Sequence, residues 1–319
     1  MEQVVEFFQH VATGRIDEVR AMLAATPSLV NAVGPHPYWG GRPQPLHLAV
    51  EAKRHDVFDL LLDSGADING SNEAYDHWSP LMIALNASNE MRDELLRRGA
   101  RIGLVEALMM GDDVRVEAFL KNGSLPPIAP NGGSLLAFAR TPYAIDRLIA
   151  LGASTTQQDR WGSTPIDAMS RLGPRGQALV MHLTGRGIPA APKEYARLGD
   201  MATLAMLVDR DAAVAHQDAV MMAAVDFRHH EMVEWLLARG GNVNARAEHQ
   251  SRHTALHSAA WNGDLKMVQL LVAAGADTAA LDEQYQGTPR GWAATSIEIS
   301  HNPACRDVVA FFESRGDPA

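Results

Sequence analysis

The residues able to do chemistry in this chain gather in a few loops rich in Gly, Pro and Asn. Residues 31–44 carry His36, Tyr38 and Trp39, and residues 67–79 carry Tyr75, His77 and Trp78. Further along, 153–164 carries Trp161, 242–254 carries His249 and His253, and 277–288 carries Tyr285. Aromatic residues make up only 6% of the chain, so their placement in loops points to recognition. Trp and Tyr rings bury a large area at little entropic cost, which is why they dominate binding hot spots. Histidines beside acids such as Glu51 and Asp226 could also supply acid and base groups or metal ligands. No spacing supports that second chemistry. The chain has no GxxxxGK[ST], HExxH or GxSxG, no GxGxxG after a strand, and no Cys/His cluster with zinc-ligand spacing. We therefore expect no catalytic residue, no metal and no cofactor.

Composition narrows the function classes further. With 28 Lys and Arg against 38 Asp and Glu, the 319-residue chain has a formal charge of −10, which repels phosphate backbones and disfavours nucleic acid as a partner. A hydrophobic share of 46% and a charged share of 21% describe a folded protein. The lone cysteine, Cys305, cannot close an intramolecular disulfide, and Glu2 and Glu6 stand where a secretory signal needs Lys or Arg. No apolar run approaches the length of a membrane span. The expectation is a cytoplasmic protein with no membrane association.

The loops are held by elements that repeat. Residues 44–69 read QPLHLAVEAKRHDVFDLLLDSGADIN, residues 79–102 SPLMIALNASNEMRDELLRRGARI, and residues 254–278 TALHSAAWNGDLKMVQLLVAAGADT. In the last of these, Thr254 opens a first helix, and Leu256, Ala259 and Ala260 give it a narrow apolar face. Gly263 permits a tight turn, Val268, Leu270 and Leu271 bury a second helix, and Gly275 follows its last turn.

This pattern resembles the ankyrin repeat, with its T-P-L-H-x-A signature and glycine-broken helix pair. At the family period of about 33 residues, about ten units cover nearly the whole chain. They begin near residues 1, 44, 79, 102, 134, 164, 189, 219, 254 and 288 and are degenerate in the middle. The resemblance implies an all-α ankyrin-repeat solenoid of stacked helix-turn-helix units with β-turn finger loops, a single solenoid over 1–319. It also makes His47 and His257 structural, turn-stabilising residues. Aligning His55 with His230 matches RHDVFDLLLDSGADIN to HHEMVEWLLARGGNVN without a gap, which suggests related half-arrays, 1–188 and 189–319.

Several irregularities carry their own expectations. Pro142 suits the first position of a helix, Gly173, Pro174 and Gly176 should break one, and SIEISHNPACRD should form an insertion between the last two helices. Asn131 to Ser134 reads as a turn. Arg97, Arg98 and Arg101 offset a helix dipole at its C-terminal end. The eighth residue of each unit, Glu51, Asn86, Asp226 and Trp261, points to the concave side by helical period. Ankyrin arrays usually bind proteins on that side. The expected function is thus recognition of a protein or peptide partner on a concave, acidic and aromatic-rich face, a basic partner if the acids take part. The alternative is a small-molecule-binding protein or enzyme with a pocket enclosed by the finger loops. Oligomeric state is left open.

Overall fold

The computed structural model describes residues 2–38, 40–126, 129–248, 251–300 and 302–318. Among these the chain forms nineteen α-helices, five short 3-10 helices and an isolated bridge between Arg246 and Thr254. Counting the 3-10 turn Leu135–Phe138 as one member, the helices make ten successive pairs, as the repeat period requires. That turn is what remains of a first helix in the shortened unit from Ser134. Pro142 opens its second helix, Pro142–Ala150, and Thr141 caps it by accepting from Ala144 N. No helix among the described residues is long and apolar enough to cross a membrane.

The chain divides into two compact units, Met1–Pro165 and Ile166–Ala319. The first is built on Phe7, Phe8, Leu46, Phe58, Leu81 and Leu95, all buried. The second is built on Val233, Leu256, Val268, Leu271 and Phe312, all buried. Small residues such as Ala259 and Ala260, fully covered in the helix Ala255–Trp261, let neighbouring first helices approach closely. Gly263 turns that helix into Leu265–Ala273 at φ +66°, and a Cβ there would stand 3.0 Å from Cys305 N of the next pair.

Two side-chain devices tie successive units together. His47 Nδ1 accepts from Gln44 N at 3.2 Å while Nε2 donates to Trp78 O at 2.9 Å. His257 repeats this, accepting from Thr254 N at 3.2 Å and donating to Gly287 O at 2.9 Å. Burial lowers the pKa of both rings, so they stay neutral with the proton on Nε2. The second device is an asparagine at the base of a finger. Asn31 Oδ1 accepts from Asp67 N at 2.7 Å, Asn69 Oδ1 from Arg101 N at 2.7 Å, and Asn244 Oδ1 from Asp277 N at 2.9 Å.

In the degenerate units an acid occupies the histidine's place. Glu106 accepts from Ser79 Oγ at 2.7 Å and from Gly103 N at 3.1 Å. Asp167 lies within 2.6 Å of Arg197 Nη1 and 3.3 Å of both Lys193 Nζ and Arg171 Nη2. Burial works against its ionisation, but these cations outweigh burial and bring the pKa to about 2. Glu194, 2% exposed beside this cluster, keeps an Oε2 that accepts nothing among the described residues. Burial, and then the charge of Asp167, push its pKa up.

Three local expectations are corrected. Gly176 does not break a helix; it lies in the first turn of Pro174–Gly185, where a Cβ would meet Met169 O at 2.1 Å. The glycine there permits a close backbone approach. SIEISHNPACRD is not a plain insertion, because Ser296–Ile299 extend the helix Pro289–Ile299 and Cys305 opens Cys305–Arg315. Arg98 does more than face a dipole: it pairs with Glu94 at 2.5 Å and reaches Asp63 at 2.6 Å on the preceding unit's second helix.

Candidate functional site

The fingers of the first unit are unequal in length, and that inequality builds a groove. Only residues 98–103 separate the helix Asn89–Arg97 from Leu104–Met110, so the fourth repeat has almost no finger. Its neighbours close over the gap. Trp78 Nε1 donates to Asn131 Oδ1 at 2.7 Å, linking the third finger to the fifth. Asp76 pairs with Arg160 of the sixth finger at 2.7 Å, and Arg160 N donates to Asn131 O at 3.1 Å. The Trp78 ring also meets Phe138 edge-on, with centroids 6.1 Å apart.

Backbone geometry fixes this arrangement. Asp76, His77 and Asn131 have φ of 52°, 58° and 63°, in the left-handed region that non-glycine residues enter at a cost of about 1 kcal/mol or more each. Two consecutive left-handed residues turn the finger so that Asp76 faces Arg160, leaving His77 exposed. Asp159 Oδ1 accepts from Trp161 N and Ser163 N at 2.9 Å each, which sets the tip of the sixth finger.

The result is a groove of about 570 Å³ lined by Glu51, Tyr75, Trp78, Asn86, Arg160 and Trp161, among others. At its inner wall Glu51 Oε2 accepts from His36 Nε2 at 3.1 Å and from Tyr75 OH at 3.0 Å. His36 Nδ1 accepts in turn from Tyr38 N at 3.1 Å, which puts the ring proton on Nε2. Burial raises the pKa of the Glu51 carboxyl, but the hydrogen bond and charge of His36, together with the Tyr75 hydroxyl, more than reverse it. Burial and then the Glu51 charge push the Tyr75 phenol far up, so it remains a donor. Trp161 stands at the rim, 65% exposed, with the Arg160 guanidinium 5.8 Å from its ring centroid.

Of the residues singled out from sequence, Glu51, Tyr75, Trp78, Asn86 and Trp161 line this groove, while His36 and Tyr38 support it from behind Glu51. Trp39 and His249 lie outside the described residues. His77 is exposed on the third finger of the same unit, and the second unit holds Asp226, His253, Trp261 and Tyr285. Asp226 is exposed at the end of the helix Asp218–Asp226, and Tyr285 is exposed on its finger. His253 is buried between Ser251 Oγ and Ser258 Oγ, both at 2.8 Å, with its ring 4.8 Å from Trp292. Trp261 meets the same ring edge-on at 5.8 Å.

Trp292 was missed because it lies on a helix and not in a loop. Its Nε1 donates to the buried Asp282 at 3.0 Å, and the same carboxylate accepts from the backbone N–H groups of Gln284, Tyr285 and Gly287. Asn131 was missed as a site residue because it reads as a simple turn. Among the described residues, no group of three or more His, Cys, Asp or Glu is placed to hold a metal ion.

Comparison with known proteins places these repeats. A model described as ankyrin repeats in three copies matches residues 194–282, and the single ankyrin-repeat model matches 44–73. The B-cell lymphoma 3 protein homolog of Mus musculus is 30% identical over 171 residues, 49% of this chain and 38% of that protein. A probable E3 ubiquitin-protein ligase, XBOS32 of Oryza sativa subsp. japonica, is 31% identical over 100 residues, 28% of this chain and 19% of that protein. The chain thus spans well under half the length of these curated relatives. The crystal structure of the human ASB11 ankyrin repeat domain is 17% identical, covers 94% of this chain and 96% of its own, and gives a TM-score of 0.30.

Proposed function

This chain is an ankyrin-repeat protein, and from that premise we propose that it recognises a protein or peptide partner in the finger groove of its first unit. Ankyrin repeats are generally protein-interaction modules, and the observation that carries the reading is the pairing of an exposed ring with a fixed wall. Trp161 leaves 65% of its surface to solvent, while Trp78, Asn131, Asp76 and Arg160 lock the fingers around it. A large exposed aromatic beside a preorganised groove has the character of a binding hot spot. The single cysteine, buried Cys305, accords with a reducing compartment, and we assign the protein to the cytoplasm.

The test is capture from the native lysate with wild type and Trp161→Ala in parallel. A protein held by wild type and lost from the variant supports the reading. Equal recovery from both overturns it. A groove of about 570 Å³ also falls in the range of small-molecule sites, so the captured material is analysed for retained small molecules too. A small molecule lost with the tryptophan, without any protein, would favour that second reading.

A further inference from the structure

We propose that this groove takes the cationic side chain of a lysine or arginine on the partner, with Glu51 Oε1 as its acceptor; this rests on the groove being the partner surface. Both internal hydrogen bonds to the Glu51 carboxylate end on Oε2. Oε1 accepts none among the described residues, although the side chain is 34% exposed where it lines the groove. An ionised carboxylate has about four acceptor sites, so half of its capacity is unused by the described residues.

Charge in the groove points the same way. Asp76 and Arg160, the other charged groups of the lining, pair with each other at 2.7 Å. Glu51, the third charged group of the lining, has His36 behind it as its ring partner and no Lys or Arg partner among the described residues. His36 engages Oε2 alone, since its Nδ1 accepts from Tyr38 N and its Nε2 donates to that one oxygen. The carboxylate is therefore held in place, kept ionised and left half unsatisfied.

The surrounding surface suits the rest of such a side chain. Ile83 and Ala87 also line the groove and offer apolar contact to a methylene stem, and the aromatic Tyr75 and Trp78 share the lining. A volume of about 570 Å³ exceeds one side chain, so neighbouring residues of the partner enter with it. A peptide segment meets that description better than an isolated cation.

The experiment pans a random peptide display library on the full chain. Enriched peptides are then titrated against wild type, Glu51→Gln and Trp161→Ala. The expected result is one shared Lys or Arg position whose replacement by norleucine weakens binding by about tenfold or more. Glu51→Gln should weaken it as much, and the two changes together should cost little more than either alone. Gln keeps an acceptor for His36 and Tyr75, and a thermal melt checks that it folds; should it not, the norleucine peptide decides alone. Binding lost in Trp161→Ala but indifferent to Glu51→Gln and to norleucine overturns the cation proposal and leaves the groove reading standing. Binding indifferent to Trp161→Ala, or no enrichment at all, overturns both.

Discussion

The indole nitrogen of Trp78 donates to Oδ1 of Asn131 at 2.7 Å, joining the third finger to the fifth across a repeat that has almost none of its own. A conventional finger in the fourth unit would stand between them. The groove thus follows from a short finger, and its walls are held by side chains that cross the gap.

Removing that crossing should loosen the first unit measurably. Asn131→Gly keeps a residue comfortable at φ +63° but deletes the acceptor. We expect a loss of about 1 kcal/mol in urea denaturation, the net worth of one hydrogen bond to a half-buried donor. An unchanged midpoint would mean that the link carries no stability.

Gly176→Ala reverses the usual sign of a helix substitution. Alanine in a helix interior normally gains about 1 kcal/mol over glycine. Here its Cβ would stand 2.1 Å from Met169 O, so the expected outcome is a loss of about 1–3 kcal/mol through forced backbone shifts. A stabilised variant would contradict the close approach.

The buried cluster at Asp167 makes stability depend on acid. Its folded pKa, about 2, is depressed from an ordinary value of 3.8, so its contribution is complete above about pH 4 and is lost as pH falls toward 2. Asp167→Asn leaves the buried Arg197 without its ion-pair partner, holding Ser170 Oγ at 3.1 Å, and should cost about 3 kcal/mol at pH 7. The gap between variant and wild type should close in melts taken from pH 4 down to pH 2. Glu194→Gln should behave oppositely, raising the melting midpoint at pH 7 because burial already disfavours that charge, with the gain disappearing in acid. A constant offset across pH in either variant would assign the effect to packing.

Leu271→Ala checks the repeat register in the ninth unit. The side chain is fully buried on the second helix, so truncation should cost about 2–5 kcal/mol. A midpoint that does not move would show the helix to be rotated.

Much of this was legible from residue spacing, and the exceptions have local causes. Hydrophobic period, turn glycines and the T-P-L-H pattern reveal helix pairs because each is a short-range requirement of one unit. His47 and His257 could be read as structural for the same reason. Asn131 could not, since its role depends on Trp78, far away in the chain and brought near only by a missing finger. Loop position marks out Trp161 but not Trp292, whose ring packs on His253 from a helix. Glycine and proline at 173 and 174 mark a break that the structure has, between Pro165–Ser170 and Pro174–Gly185, whereas Gly176 lies inside the second helix to admit a carbonyl. Local steric rules state what a residue permits, and the neighbour that exploits it comes from tertiary packing.

The measurement closest to the central claim is a titration of the captured partner against wild type and Trp161→Ala. Because the ring is exposed, the variant should melt within about 0.5 kcal/mol of wild type. Its affinity should fall by about 30-fold, the effect of losing a 2 kcal/mol hot spot. Equal affinity with an unchanged melt would contradict the assignment of the finger groove as the recognition site.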